Sequence, residues 1–211
     1  MTGDPAPVTR GERARLAILD AAERLFVAQG YNGTSMRQIA QAAGDIAVGG
    51  IYNHFGNKEE IFQDLLRQRS PYAELVAQLN ALQGDDASAL LAQAFGVIQP
   101  IMWQHLGFMR LALIDLQEHD GLSIRDLANE VIPHAFAFFA RVKQARGIRD
   151  DVPSYALARM FVGLMAGFLI TGLFAYDGDQ PRLPNFPVMS EEDWQSMFMD
   201  IWLNGIRAKE E

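Results

Sequence analysis

The chain is 211 residues long, 49% hydrophobic, free of cysteine, and carries a formal net charge of −8. That apolar content supplies a substantial core and excludes general disorder, while the missing cysteines exclude a disulfide framework and thiolate chemistry. The charge argues against nucleic acid only until it is located: residues 1–70 hold eight basic and eight acidic residues, so the whole excess lies in 71–211.

A neutral head on an acidic body permits DNA contact through the head. No apolar run precedes a cleavage site near the N-terminus, so a cytoplasmic protein is expected. Period-2 alternation is absent and helical spacing dominates, which predicts an all-α fold. The first helix opens at Thr9-Arg-Gly-Glu12, a capping-box spacing. Leu16, Leu19, Ala22, Phe26 and Val27 recur along it at helical intervals, and Gly30 is placed to stop it after Gln29. A second helix is expected from Thr34 or Ser35 to about Ala42, with Ser35 and Gln38 repeating the cap. Gly44 breaks the pattern, and a third short helix is predicted over 48–55. Asn57 then caps a fourth, with Glu59 and Glu60 in its first turn and Pro71 kinking or ending it.

Beyond Gly84 the periodic segments lengthen, predicting helices over 88–103, 106–119, 122–146, 153–176 and 191–208, with kinks at Pro100 and Pro133. Residues 178–190 contain three prolines and no period, which reads as a loop. The expected organisation is a helix-turn-helix DNA-binding domain over 1–56, ordered from about residue 9, and a larger helical ligand-binding and dimerisation domain over 57–211.

Two short helices joined by a glycine-containing turn are the layout of a helix-turn-helix unit, whose second helix enters a major groove. Here Ile39, Ala40 and Ala43 would face Ile51 and Phe55, leaving Gly50, Asn53 and His54 outward. Asn53 can both donate to and accept from an adenine edge. Tyr52 and His54 have polar tips that reach phosphate oxygens. Gly49 and Gly50 allow close backbone approach, at about 1 kcal/mol each of lost helix propensity. Lys58 stands at a helix N-terminus that suits a phosphate, and Ser35 and Arg37 begin the helix that crosses the DNA backbone. Val48 either touches a thymine methyl or packs beneath its helix. The bland alternative is a helical hairpin whose Tyr and His cap a core.

Residues 10–62, through "ILDAAERLFVAQGYNGTSMRQIAQAAG" and "GGIYNHFGNKEEIF", resemble the DNA-binding head of the TetR family of transcriptional regulators. The resemblance implies DNA contacts at Ser35, Arg37, Gly50, Tyr52, His54 and Lys58. It also implies a small-molecule cavity in the body and a dimer interface built from the last two helices of each subunit. Two departures stand out: the turn "GDIAVGG" is one residue longer than the usual pattern, and Gly50 replaces a common Thr.

In the body, residues 160–176 are nearly all apolar and carry a small-residue spacing at Gly163 and Gly167. A membrane span competes with a helix buried all round, within its bundle and against a second subunit; the latter is preferred because 17 residues are short for a span and no basic cluster flanks them. Trp194, Met197, Phe198, Ile201, Trp202 and Gly205 form a stripe that also needs burial. The expected dimer residues are Phe161, Leu164, Phe168, Trp194, Phe198, Ile201 and Trp202. Candidates for the effector cavity are Phe95, Gln99, Met102, Trp103, His105, Met109, Phe136, Phe139, Met165 and Phe168, a set that suits a lipophilic or aromatic ligand.

An enzyme would need a catalytic constellation. Glu130 with His134, and Asp115 with Glu118 and His119, are the nearest approaches and could build a metal site, but neither has the paired Glu-x-x-His spacing, and 118–120 reads as a solvated helix end. No cofactor, metal or catalytic residue is expected. The reading is a homodimeric, ligand-responsive transcriptional regulator, a repressor released from a palindromic operator. A helical small-molecule or lipid binding protein, or an enzyme without operator binding, is the alternative.

Overall fold

The computed structural model describes residues 9–44, 46–177, 180–181 and 191–206. Its helices run in the order α1 (Arg10–Gln29), α2 (Met36–Ala42), α3 (Val48–Ile51), α4 (Lys58–Arg69) and α5 (Tyr72–Ala81). There follow α6 (Ala87–Gln104), α7 (Leu106–Glu118), α8 (Leu122–Gln144), α9 (Ser154–Ala175) and α10 (Glu191–Ile206). Among the described residues the fold is all-α except for a minimal antiparallel ladder, β1 (Tyr176–Asp177) with β2 (Gln180–Pro181), pairing Tyr176 with Pro181. The rest of the expected 178–190 loop, and the end of the last helix beyond 206, lie outside the described residues.

The chain packs as two compact units, one of residues 1–70 with 105–128 and one of 71–104 with 129–211. In the first, α1 packs against α2, α4 and α7. The Thr9 cap forms in full: the Thr9 hydroxyl accepts from the Glu12 N–H, and the Thr9 N–H donates to the Glu12 carboxylate at 2.7 Å. The buried stripe is Ile18, Leu19, Ala21, Ala22 and Phe26. Leu16 and Val27 are exposed, contrary to expectation. At about 100° per residue they lie roughly opposite Ile18, so the spacing rule admitted two positions that the helix turns outward.

Asn57 caps α4 by accepting from the Glu60 N–H at 2.8 Å. The helix ends at Arg69, and Ser70 is extended, as the residue before a proline prefers. The sequence reading passed over α5, whose apolar signal is only the Leu75–Leu79 pair, one turn apart and buried. Pro100 and Pro133 lie inside α6 and α8, which continue through them.

The second unit has an aromatic core. Phe138 meets Phe139 at 5.2 Å, Phe139 meets Phe161 at 5.6 Å, and Phe161 meets Trp202 at 5.4 Å between ring centroids. The Arg141 guanidinium donates to the carbonyls of Leu79 and Leu82, tying α8 to the end of α5. Within one chain α9 is buried on one side only: Tyr155, Met160, Val162 and Leu164 are exposed, and the expected burial against a second subunit concerns that exposed side. Beside Gly163 and Gly167, the space a side chain would occupy is open. By length and composition α9 is apolar enough to cross a membrane, although core helices meet the same test.

Candidate functional site

The reading head is built from α2, α3 and the turns around them. Ser35 caps α2 reciprocally: its hydroxyl accepts from the Gln38 N–H, and its own N–H donates to the Gln38 amide oxygen at 2.8 Å. Ile39 and Ala40 are buried from this side, Ile51 and Phe55 from the other. The long connection closes through the Ile46 N–H, which donates to the Ala40 carbonyl at 3.1 Å.

The third helix is shorter than the predicted 48–55. After Ile51 the chain continues in tight turns, with the His54 N–H on the Ile51 carbonyl at 2.8 Å and the Phe55 N–H on the same carbonyl at 2.9 Å. Two glycines in four residues and an uncapped start at Ala47 explain why regular helix does not extend. The inward pair Ile51 and Phe55 is nonetheless sealed, at 0% and 2% exposure, while Tyr52 is 54% exposed. Val48, Gly49 and Asn53 are also exposed; Gly50 and His54 are half-buried. Ser35 and Arg37 are exposed at the start of α2. A side chain at Gly50 would meet the Ile46 methyl at 2.9 Å, so Ile46 occupies the room that a larger residue needs there.

Lys58 is placed differently from a freely extended phosphate ligand. Its ammonium donates to the carbonyls of Tyr31 and Thr34, each at 2.7 Å, and lies 4.0 Å from the Tyr31 ring centroid. Burial pushes its pKa down, and the Glu118 charge opposes that shift. Burial pushes the Tyr31 pKa up, with the Glu59 and Glu118 charges adding to it.

Glu118 is the residue that sequence reading missed. The expected solvated end at 118–120 instead folds onto the turn after α1. One Glu118 carboxylate oxygen accepts from the Tyr31 N–H at 3.2 Å, the other from the Asn32 N–H at 2.6 Å. The His119 ring packs 4.1 Å from Tyr31 and 5.5 Å from Phe62. No local spacing signals this pairing, because its partners stand 86 and 87 residues apart. Asp115 is fully buried and accepts from the Ile124 N–H at 2.9 Å.

The effector candidates divide between the units. Phe95, Gln99, Met102, Phe139 and Met165 are buried in the second unit, where Phe168 lies 5.8 Å from Phe95. Trp103 packs across Gly172, and its buried indole N–H has no hydrogen-bond partner among the described residues. Phe136 departs from the expectation: it is 46% exposed, off the buried α8 stripe of Phe138, Phe139 and Val142. His105 and Met109 belong to the first unit, where the His105 Nδ1 atom is 3.0 Å from the Arg69 carbonyl oxygen.

Among the expected dimer residues, Leu164 and Ile201 are exposed, whereas Phe161 and Trp202 face the core of their own chain. Phe168 is half-buried. The side chains of Trp194 and Phe198 lie outside the described residues. Glu130 and His134 are exposed on α8. Among the described residues, no group of three His, Cys, Asp or Glu side chains is arranged to hold a metal.

Residues 18–65 match the family model described as bacterial regulatory proteins, tetR family. An HTH-type transcriptional repressor of Mycobacterium tuberculosis is 31% identical over 171 residues, covering 80% of this chain and 85% of the relative. The HTH-type transcriptional repressor KstR2 of Rhodococcus jostii is 43% identical over 68 residues, covering 32% of this chain and 33% of the relative. Among solved structures, NalD, the secondary repressor of the MexAB-OprM multidrug efflux pump in Pseudomonas aeruginosa, superposes with a TM-score of 0.67 at 24% identity, covering 95% of this chain and 100% of its own. The ketosteroid transcriptional regulator KstR2 of Mycobacterium tuberculosis gives 0.63 at 19% identity, covering 92% and 95%. At these identities the structural likeness speaks for the fold.

Proposed function

This chain belongs to the TetR family of bacterial regulatory proteins, and from that premise we propose a homodimeric repressor that leaves a palindromic operator when a small lipophilic molecule binds. The observation that carries the reading is the division of α3 and its turn: Ile51 and Phe55 are sealed inward while Tyr52 and Asn53 stand exposed together. Asn53 reads an adenine edge. Arg37, Tyr52 and His54 hold phosphates, with Ser35, Val48, Gly49 and Gly50 at the DNA surface and Lys58 beside it. The protein acts in the cytoplasm, where its DNA partner is.

Selection from a random duplex library tests this. The expected product is a near-palindrome whose half-sites lie one helical turn apart, roughly 34–36 Å. Failure to enrich any duplex overturns the proposal. Asn53→Ala is expected to lose preference at one position of each half-site, at about 1–3 kcal/mol per lost bidentate contact. Repeating the selection with the variant checks it; an unchanged consensus removes Asn53 from the reading set.

For the effector, the second unit offers an aromatic and thioether surface with Gln99 and the Trp103 indole as polar anchors. The names of the solved relatives, an efflux-pump repressor and a ketosteroid regulator, accord with a lipophilic ligand. A neutral molecule carrying one hydrogen-bond acceptor fits best, since an unpaired buried donor favours a ligand that satisfies it. Trp103→Phe keeps an aromatic ring and removes the donor. For neutral ketones found by thermal-shift screening, it is expected to weaken binding by about 1 kcal/mol, roughly fivefold. Calorimetry showing equal affinity for both proteins contradicts that anchor.

A further inference from the structure

We propose that Glu118 is a positioning residue for operator recognition, holding the α1–α2 turn by its backbone so that α2 and α3 meet DNA together. The inference rests on the DNA-binding reading above and deepens it. Between Gly30 and Ser35 the chain turns from α1 into α2, and its polar main-chain groups need partners. Several come from nearby: the Thr34 hydroxyl donates to the Gly30 carbonyl at 2.8 Å, and the Gln29 amide donates to the Gly33 carbonyl at 2.9 Å.

Two charged side chains from elsewhere supply four more bonds. Lys58, at the start of α4, takes the carbonyls of Tyr31 and Thr34. Glu118, in the last turn of α7, takes the N–H groups of Tyr31 and Asn32, one per carboxylate oxygen. The turn is thus gripped by an anion on its donors and a cation on its acceptors. Charge-assisted bonds of this kind are shorter and stronger than neutral ones.

Gly30 is part of the device. Its φ is +78°, and a side chain there would stand 2.7 Å from the Glu118 carboxylate, so only glycine combines this turn with this approach. The acid is also misplaced for α7 itself, because a negative charge in a last turn opposes the helix dipole. Helix propensity likewise favours alanine at that position. A tertiary role explains the carboxylate; helix stability does not.

Consequences for DNA follow from what the turn supports. Ser35, the next residue, caps α2, and Arg37 lies in its first turn. Loosening the turn lets α2 shift against α3, which spoils simultaneous base and phosphate engagement. It leaves the general attraction of basic groups for phosphate intact.

The test compares full-length parent, Glu118→Ala and Glu118→Gln. Each is titrated by fluorescence anisotropy against the duplex selected by the parent and a scrambled duplex of equal length, and each is followed by amide hydrogen exchange. For Glu118→Ala the expected result is at least tenfold weaker binding to the selected duplex and scrambled-duplex binding within twofold of the parent. Exchange at Tyr31 and Asn32 accelerates at least tenfold. Glu118→Gln, which keeps one acceptor, falls between. Parent-like binding by Glu118→Ala, equal losses on both duplexes, or unchanged exchange at the two amides overturns the proposal. A parent that selects no duplex counts against the DNA-binding reading itself, while the exchange measurement still decides whether the carboxylate holds the turn.

Discussion

Phe55→Ala is expected to abolish selective DNA binding, weakening the selected duplex at least a hundredfold, or about 2.7 kcal/mol. The ring is 2% exposed, and the Arg15 guanidinium stacks over it at 5.1 Å from the centroid. Truncating a buried Phe to Ala costs about 3–5 kcal/mol through lost transfer energy and the cavity left behind. That cost falls on a segment with little to oppose it. The four residues of α3 include Gly49 and Gly50, each about 1 kcal/mol less favourable than alanine in a helix, and Ala47 offers no side-chain cap. The geometry of α3 therefore depends on Ile51 and Phe55 being gripped from below.

Tyr52→Ala is the control, because an exposed side chain of this kind changes stability by only about 0.5 kcal/mol or less. Urea denaturation followed by circular dichroism separates the two effects. Phe55→Ala should lose stability and binding together, Tyr52→Ala binding alone. Parent-like operator affinity in Phe55→Ala contradicts the dependence of the reading surface on its buried anchor.

What the sequence made legible was mainly local. The caps at Thr9, Ser35 and Asn57 depend on spacings of three residues, and all three form as read. The inward pair Ile51 and Phe55 was legible for a similar reason, being four residues apart; of the residues expected outward, Asn53 is exposed while Gly50 and His54 are half-buried. The extent of α3 was misjudged because its glycines weaken propagation while apolar spacing alone suggested continuity. Leu16 and Val27 misled for the converse reason: apolar character says nothing about which way a helix face turns.

The candidate site was legible as a strip of exposed residues and opaque as a supported one. The carbonyls that Lys58 holds are 24 and 27 residues away, and Glu118 lies farther still from the turn it binds. Contacts of that separation leave no periodic trace. The same limit governs the body. An apolar helix such as α9 declares that it must be covered, but composition alone cannot distinguish its own core from another subunit. Phe161 lies in the core of its own chain, whereas Val162 and Leu164 are exposed on it.

Ile201→Glu combined with Leu164→Glu is expected to convert a dimer into monomers and to weaken operator binding by two orders of magnitude or more. Both residues are exposed and apolar, at 69% and 38%, on α10 and α9 of the second unit. On α9 the exposed positions nearest Leu164 are Met160, Gly163 and Gly167, and on α10 Met197 stands one turn before Ile201. The open space beside the two glycines permits close approach of a second helix. A twofold interface presents the same patch from both subunits, so each introduced carboxylate meets a like charge as well as an apolar surface. Loss of the dimer then removes the gain from linking two half-site readers, which reaches about 10²–10⁴ when geometry allows both to engage. Sedimentation equilibrium at micromolar concentration measures the first effect and anisotropy on the selected duplex the second. Hydrogen exchange at Tyr31 and Asn32 should stay at parent levels, because the substitutions lie in the other unit. A variant that still sediments as a dimer would place the subunit contact elsewhere. A monomeric variant that kept full operator affinity would contradict paired half-site reading.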